Sequence, residues 1–247
     1  MPPTPNRSTP RLLLLGGIDL RGLPAPSTHT LLAQPKTVAF LALLALAPER
    51  RFQRRDRLCG LLWPELAQTR ARAALRKTVH AVRAVLGAES VVGRGDEELA
   101  LAADVLRCDA EEFAAAADAG RVAPAIEMYR GELMPGFHVS GCAEFEYWLT
   151  EERRALQERM AAAAWALACR LETEERHTDA GVWARRAVHY TGTDERVLRR
   201  AVQMLARIGD RAGALRLYND FVKRVRETLD VEPSAETVAL IESLRRG

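Results

Sequence analysis

Between Gln68 and Leu86 the charged residues and the oily ones separate by spacing. At about 100° per residue on a helix, Leu75, Val79, Val82 and Leu86 fall in one narrow stripe. Arg70, Ala73, Lys77, His80 and Ala84 point the opposite way, with Arg72, Arg76 and Arg83 on the flanks. Guanidinium and ammonium groups stay charged at neutral pH, and the alanines between them let a partner surface come close. That combination suits a duplex polyanion, because a helix lying in a major groove reaches base edges with some side chains and phosphates with others. Arg70, Lys77 and His80 are the candidates for bases. Arg72, Arg76 and Arg83 are the candidates for phosphate, with Glu65 and Asp56 as competing partners for Arg76 and Arg83.

Other chemistries lack their residues. There is no G-x-x-x-x-G-K-S/T, no G-x-G-x-x-G and no H-E-x-x-H, so nucleotide and zinc-protease sites have no anchor. The five histidines, at 29, 80, 138, 177 and 189, have no partner at fixed spacing. Glu144 with Glu146, and Glu151 with Glu152, read as solvated helix faces rather than acid–base pairs. Cys59, Cys108, Cys142 and Cys169 form no C-x-x-C pair and have no neighbouring histidine at ligand spacing, which points to buried thiols in a reducing compartment. The chain is expected to be neither an enzyme nor a cofactor or metal carrier.

The elements that must position the basic helix follow from composition and punctuation. Of 247 residues, 48% are apolar, 28% charged and 6% aromatic, which favours a mostly helical globular protein. The net charge of +3 hides a basic first part: Arg50 to Arg83 carries 10 basic residues against Asp56 and Glu65. Residues 1–10 hold four prolines and are expected to be a disordered tail. The apolar run Leu12 to Leu15 is too short to span a membrane, and Asp19 argues against a signal peptide.

From Arg11 to about Thr30, short apolar stretches broken by glycine and proline predict two or three short strands. Pro35 begins a helix that ends near Ala47-Pro48. Arg55 to Leu62 makes a second, stopped at Trp63-Pro64, and Gln68 to Leu86 makes a third, ended by Gly87. Ser90–Gly93 and Leu99–Ala102 flank Arg94-Gly-Asp-Glu-Glu98 as a hairpin. A small sheet, three helices and a terminal hairpin make a winged helix over residues 11–107. Arg94 at the hairpin tip is the candidate for a minor groove or a phosphate, against the acidic residues that follow it.

After Cys108 helical periodicity dominates. A spacing of 89 superposes Gly120, Ala123, Ala125, Ile126 and Tyr129 on Gly209, Ala212, Ala214, Leu215 and Tyr218, and a spacing of 31 puts Thr178, Trp183 and Ala187 at the places of Gly209, Ala214 and Tyr218. This predicts an all-α domain of tetratricopeptide-like helix pairs over residues 108–247. Glu144 to Glu175 reads as one long helix, Tyr218 to Leu229 as an amphipathic stretch, and Pro233-Ser-Ala-Glu236 as the start of the last helix.

Two stretches carry a family resemblance. Arg55-Asp-Arg-Leu-Cys-Gly-Leu-Leu-Trp-Pro64 with Ala71-Arg-Ala-Ala-Leu-Arg-Lys-Thr-Val-His-Ala-Val-Arg-Ala-Val-Leu-Gly87 resembles the OmpR-like DNA-binding domain of SARP-type antibiotic regulatory proteins. Cys108-Asp-Ala-Glu-Glu-Phe113, Tyr129-Arg-Gly-Glu-Leu-Met-Pro-Gly-Phe137, Trp148-Leu-Thr-Glu-Glu-Arg-Arg154 and Leu229-Asp-Val-Glu-Pro-Ser-Ala-Glu-Thr237 resemble the bacterial transcriptional activation domain that follows it in those regulators. Val79, His80 and Val82 depart from the Leu or Tyr more usual on that recognition helix, so the resemblance does not transfer a target sequence. It implies a cytoplasmic, nucleoid-associated activator. Its expected partners are double-stranded promoter DNA, RNA polymerase and a second copy on tandem direct repeats, with no membrane. Residues 11–107 are then expected to bind DNA weakly by themselves. The alternatives are a helical-repeat adaptor whose basic half docks an acidic protein, and a regulator whose repeats sense a small molecule.

Overall fold

The computed structural model describes residues 9–246. Most of the predicted tail, residues 1–8, lies outside the described residues. Contacts gather the chain into two compact units. Of the described residues, the first holds those up to Ala115 together with Met128–Arg154, and the second holds Ala116–Glu127 and those from Ala155 onward.

In the first unit, strand β1 (Arg11–Leu13) pairs antiparallel with β2 (Asp19–Arg21), placing Leu12 opposite Leu20. Helix α1 (Ala25–Leu32) follows, where the sequence predicts further strand. The reason is local. Proline in the first turn forgoes an N–H that would have no partner, and the Thr28 and Thr30 hydroxyls donate to the carbonyls of Pro24 and Pro26. Helix α2 (Pro35–Ala45) starts at the proline, as expected, and is buried from Thr37 to Ala45, so it forms the axis of the unit. Strand β3 (Gln53–Arg54) leads into α3 (Arg55–Leu62) and then α4 (Gln68–Leu86). The wing is β4 (Val91–Arg94) with β5 (Glu98–Leu101), in register from Val91 opposite Leu101 to Arg94 opposite Glu98. β3 adds to the free edge of β5. Phe40, Leu44, Leu58, Leu62, Leu75, Val82 and Leu99 fill the core between these elements.

The chain then returns to its own beginning. Strand β6 (Arg107–Cys108) lies parallel to β1, with Cys108 opposite Leu12. Helix α5 (Asp109–Asp118) presents the buried carboxylate of Asp109 to two backbone N–H groups just beyond β1, those of Leu14 at 2.8 Å and Leu15 at 3.2 Å. Further on, Leu15 bridges Leu133, Met134 N–H donates to Leu14 O, and Gly16 N–H donates to Glu132 O. Gly16 has φ +76°, and a Cβ there would stand 2.6 Å from Arg130 O, so glycine is required at this crossing. Arg153 donates to the Leu133 and Met134 carbonyls, and the Cys142 thiol donates to Leu62 O. The segments Cys108–Phe113 and Tyr129–Phe137, which carry the family resemblance, are therefore the stitches that hold this unit closed.

Asp109→Ala tests one stitch. Burial pushes its carboxyl upward from the ordinary range while the Leu14 and Leu15 N–H groups pull it down. Removing it leaves two backbone donors without partners, at an expected cost of about 2–3 kcal/mol in denaturant unfolding. A loss below about 0.5 kcal/mol, the level of a neutral surface change, removes the stitch from the account.

The second unit is helical: α6 (Val122–Met128) up to Glu127, α7 (Ala143–Thr173) from Ala155, α8 (His177–Thr191), α9 (Glu195–Arg207), α10 (Arg211–Leu229) and α11 (Ala235–Arg246). Ala168, Ala184, Val188, Leu198, Val202, Leu205, Phe221 and Ile241 make its core. Three of its joints are the same motif. Gly120, Glu175 and Gly209 have φ +68°, +58° and +85°, and each stands two residues before a helix. In each, the next residue's N–H reaches back five positions: Arg121 to Ala116, Arg176 to Leu171, Asp210 to Leu205.

These joints establish the repeat and correct its middle register. Glu175, not Thr178, takes the place of Gly209, so the step is 34 residues rather than 31 and Thr178 lies inside α8. A small residue is the usual mark of such a turn in sequence. A Schellman turn needs only a left-handed backbone, which Glu175 adopts. Leu229, expected on the apolar stripe, is 53% exposed where α10 ends.

Candidate nucleic-acid interface

Helix α4 carries the two faces that its spacing predicts. Ala71, Leu75, Thr78, Val79 and Val82 are buried, and Arg70, Arg76, Lys77, His80 and Ala84 are exposed. No acidic residue stands in its first turn, and Gly87 ends it at φ +106°. Among the described residues no hydrogen bond or ion pair engages the side chains of Arg70, Arg76, Lys77 or His80. All four side chains lie on the exposed side of α4.

The other three predicted contacts are engaged within the fold. Arg72 is half-buried between two carboxylates, with Nη2 2.8 Å from Asp56 on α3 and 3.0 Å from Glu97 in the wing turn. Its hydrogen bond holds the Asp56 carboxyl below the usual range, and Asp56 raises Arg72 in return. Arg72, expected to neutralise phosphate, is neutralised here by two acids, and it ties α3, α4 and the wing together. Arg83 is half-buried and donates to Val91 O from Nε at 3.1 Å and Nη2 at 2.5 Å, a strap from the last turn of α4 to β4. That carbonyl carries no full charge, so Arg83 keeps its own. Arg94 is exposed on the wing, paired with Glu98 at 2.5 Å, and its guanidinium lies 4.7 Å from the centre of the Phe52 ring. The acids considered for Arg76 and Arg83 are taken by others: Asp56 by Arg72, and Glu65 by Lys36 at 2.9 Å.

A concave pocket of about 600 Å³ opens between α4 and the wing. The buried Leu75 and Val79 form its floor, and Arg72, Arg76, His80 and Arg83 line it from the same helix. Arg55 and Asp96 complete the lining. Arg55 is the residue that motif reading missed, although it belongs to the basic cluster that starts at Arg50.

No group of three or more His, Cys, Asp or Glu able to hold a metal occurs among the described residues. None of their helices is long and apolar enough to cross a membrane. Cys59, Cys108 and Cys142 are buried and Cys169 half-buried, all as free thiols. Burial pushes Cys108 up to about 12, which keeps it protonated and unreactive at neutral pH.

The bacterial transcriptional activator domain model matches residues 98–245, more than half of the chain. Among solved structures, the chain is similar in fold to Mycobacterium tuberculosis EmbR in complex with a low-affinity phosphopeptide, at 22% identity and a TM-score of 0.63. That likeness covers 96% of this chain and 65% of the EmbR chain. No curated protein matches. With that model matched over more than half of its length, the chain belongs to the bacterial transcriptional activator domain family.

Proposed function

We propose that this protein is a sequence-specific DNA-binding transcriptional activator that works at promoters, in the bacterial cytoplasm. The observation that carries the reading is the solvent face of α4, where Arg70, Arg76, Lys77 and His80 have no partner within the described fold while the opposite face is buried. Arg70, Lys77 and His80 read bases in the major groove. Arg76, Arg83 and Arg94 neutralise phosphate, and Arg72 sets the angle between α4 and the wing. Residues 11–107 supply the DNA contacts. Residues 108–247 hold a neighbouring protomer on a direct repeat, or RNA polymerase, in position. No catalytic step is assigned to either part.

The test is a duplex selected from a random library with the full chain. Lys77→Ala and Arg70→Ala are each expected to cost about 1–3 kcal/mol on that duplex and to relax base preference at one position. Both residues are exposed and without partners, so the variants should keep the wild-type melting temperature. If neither variant changes discrimination between selected and scrambled duplexes, α4 is not the reading element. A basic half that docks an acidic protein instead predicts no sequence preference in the wild type.

A further inference from the structure

The pocket between α4 and the wing contains an arginine that the assignments above leave without a role. Arg55 opens α3, and its backbone N–H donates to Glu97 O in the wing turn at 2.8 Å. Its Nη2 lies 3.8 Å from where a Cβ on Gly93 would stand, so the guanidinium rests beside the wing. Its Nε is fully buried and has no hydrogen-bond partner. Among the described residues no carboxylate pairs with Arg55. A guanidinium stays charged in any protein, and this one lines an open pocket with no carboxylate paired to it, so its terminal N–H groups are placed for an anion that arrives from outside.

Geometry narrows the anion. A helix in a major groove and a hairpin tip at the adjacent minor groove straddle one sugar–phosphate strand. The hollow between them faces that strand, and here Arg55, Arg76 and Arg83 put three cations into it beside His80. We propose that this pocket is a seat for one backbone phosphodiester, with Arg55 as a direct ligand and Asp96 as the opposing charge. The planar fork of a guanidinium matches two phosphate oxygens at once, which a lone ammonium cannot do. The assignment rests on the DNA-binding reading of α4.

The full chain is titrated with a mixed-sequence duplex between about 50 and 200 mM salt, where each phosphate contact adds about 0.9 to the slope of log affinity against log salt. Arg55→Gln is expected to weaken binding about tenfold at the low-salt end and to reduce that slope by about 1. Asp96→Asn removes an exposed acid that pairs with nothing among the described residues, so it keeps the fold, and it is expected to tighten binding about threefold. That second variant decides the matter if Arg55→Gln does not fold.

A weaker Arg55→Gln with an unchanged slope, together with an indifferent Asp96→Asn, makes Arg55 a structural support and overturns the seat. Inorganic phosphate is the control. If it raises the melting temperature of wild type but not of Arg55→Gln, while both bind the duplex with one slope, the pocket takes a free anion and the phosphodiester assignment is overturned. Wild type that binds the duplex, with neither variant altered, sinks the seat and leaves α4 as the reading helix. Wild type that binds no duplex sinks both.

Discussion

A chain ended after Arg107 is expected to lose the cooperative fold of its first unit and, with it, DNA binding, although residues 11–107 contain every proposed DNA contact. The cut removes Cys108, the partner of Leu12 in the parallel pair, and Asp109, which holds the N–H groups of Leu14 and Leu15. It also removes Leu133 and Met134, whose backbones pair with Leu15 and Leu14. Phe113, Leu133, Met134, Val139, Phe145 and Leu149, all buried, leave with it. At roughly 1.5–3 kcal/mol for each large apolar side chain, their sum rivals the whole net stability of a domain, about 5–15 kcal/mol. Thermal unfolding followed by circular dichroism, and amide exchange at Leu12 to Leu15, read the result. A truncated chain that melts with the cooperativity of the full protein, and protects those amides equally, would show that the return segment is dispensable. The winged helix then owes little to the family segments that follow it, and the weak independent binding expected from sequence is restored.

The second large effect is on salt. Arg55, Arg70, Arg76, Lys77 and Arg83 carry five charges on or beside α4 that no acid pairs with among the described residues, and Arg94 adds a sixth whose single exposed pair with Glu98 a phosphate can replace, whereas Arg72 is held between Asp56 and Glu97. If about six phosphates are neutralised, the slope of log affinity against log salt is about −5, and affinity falls about a thousandfold between about 50 and 200 mM. Anisotropy titrations on the selected duplex measure it. A slope shallower than about −2 would mean that no more than two phosphates are met, too few for this surface, and the contacts of the wing and the pocket would have to be given up. Arg72 stays out of this sum for a physical reason. A phosphate would have to displace two carboxylates, and Asp56 is held below the usual range by the hydrogen bond from Arg72 itself.

How much of this was legible beforehand differs by element. The bounds of α4, its buried stripe and its exposed basic face follow from a 19-residue segment whose periodicity repeats over five turns, and the structure places them where that periodicity predicts. The hairpin of β4 and β5 was legible from its glycine-containing tip. Strands β3 and β6 were not, since two residues cannot show an alternating pattern and pairing alone makes them strands. Helix α1 was masked by two prolines that read as breakers and act as a helix start.

Residue types and their spacing alone determined that this chain has a two-faced basic helix in a winged fold, helix pairs behind it, and no motif of catalysis. Those properties are local, set by what stands three, four or seven positions away. Tertiary structure alone decided which of the cations remain free. Arg72 meets Asp56 and Glu97 from 16 and 25 positions away, and Arg83 finds the Val91 carbonyl across the wing. It also decided that Asp109 and Leu133, about a hundred residues on, close the sheet begun at Arg11. Charge neutralisation and edge pairing depend on distance in space, and one-dimensional spacing carries no record of which distant groups the fold brings within 3 Å.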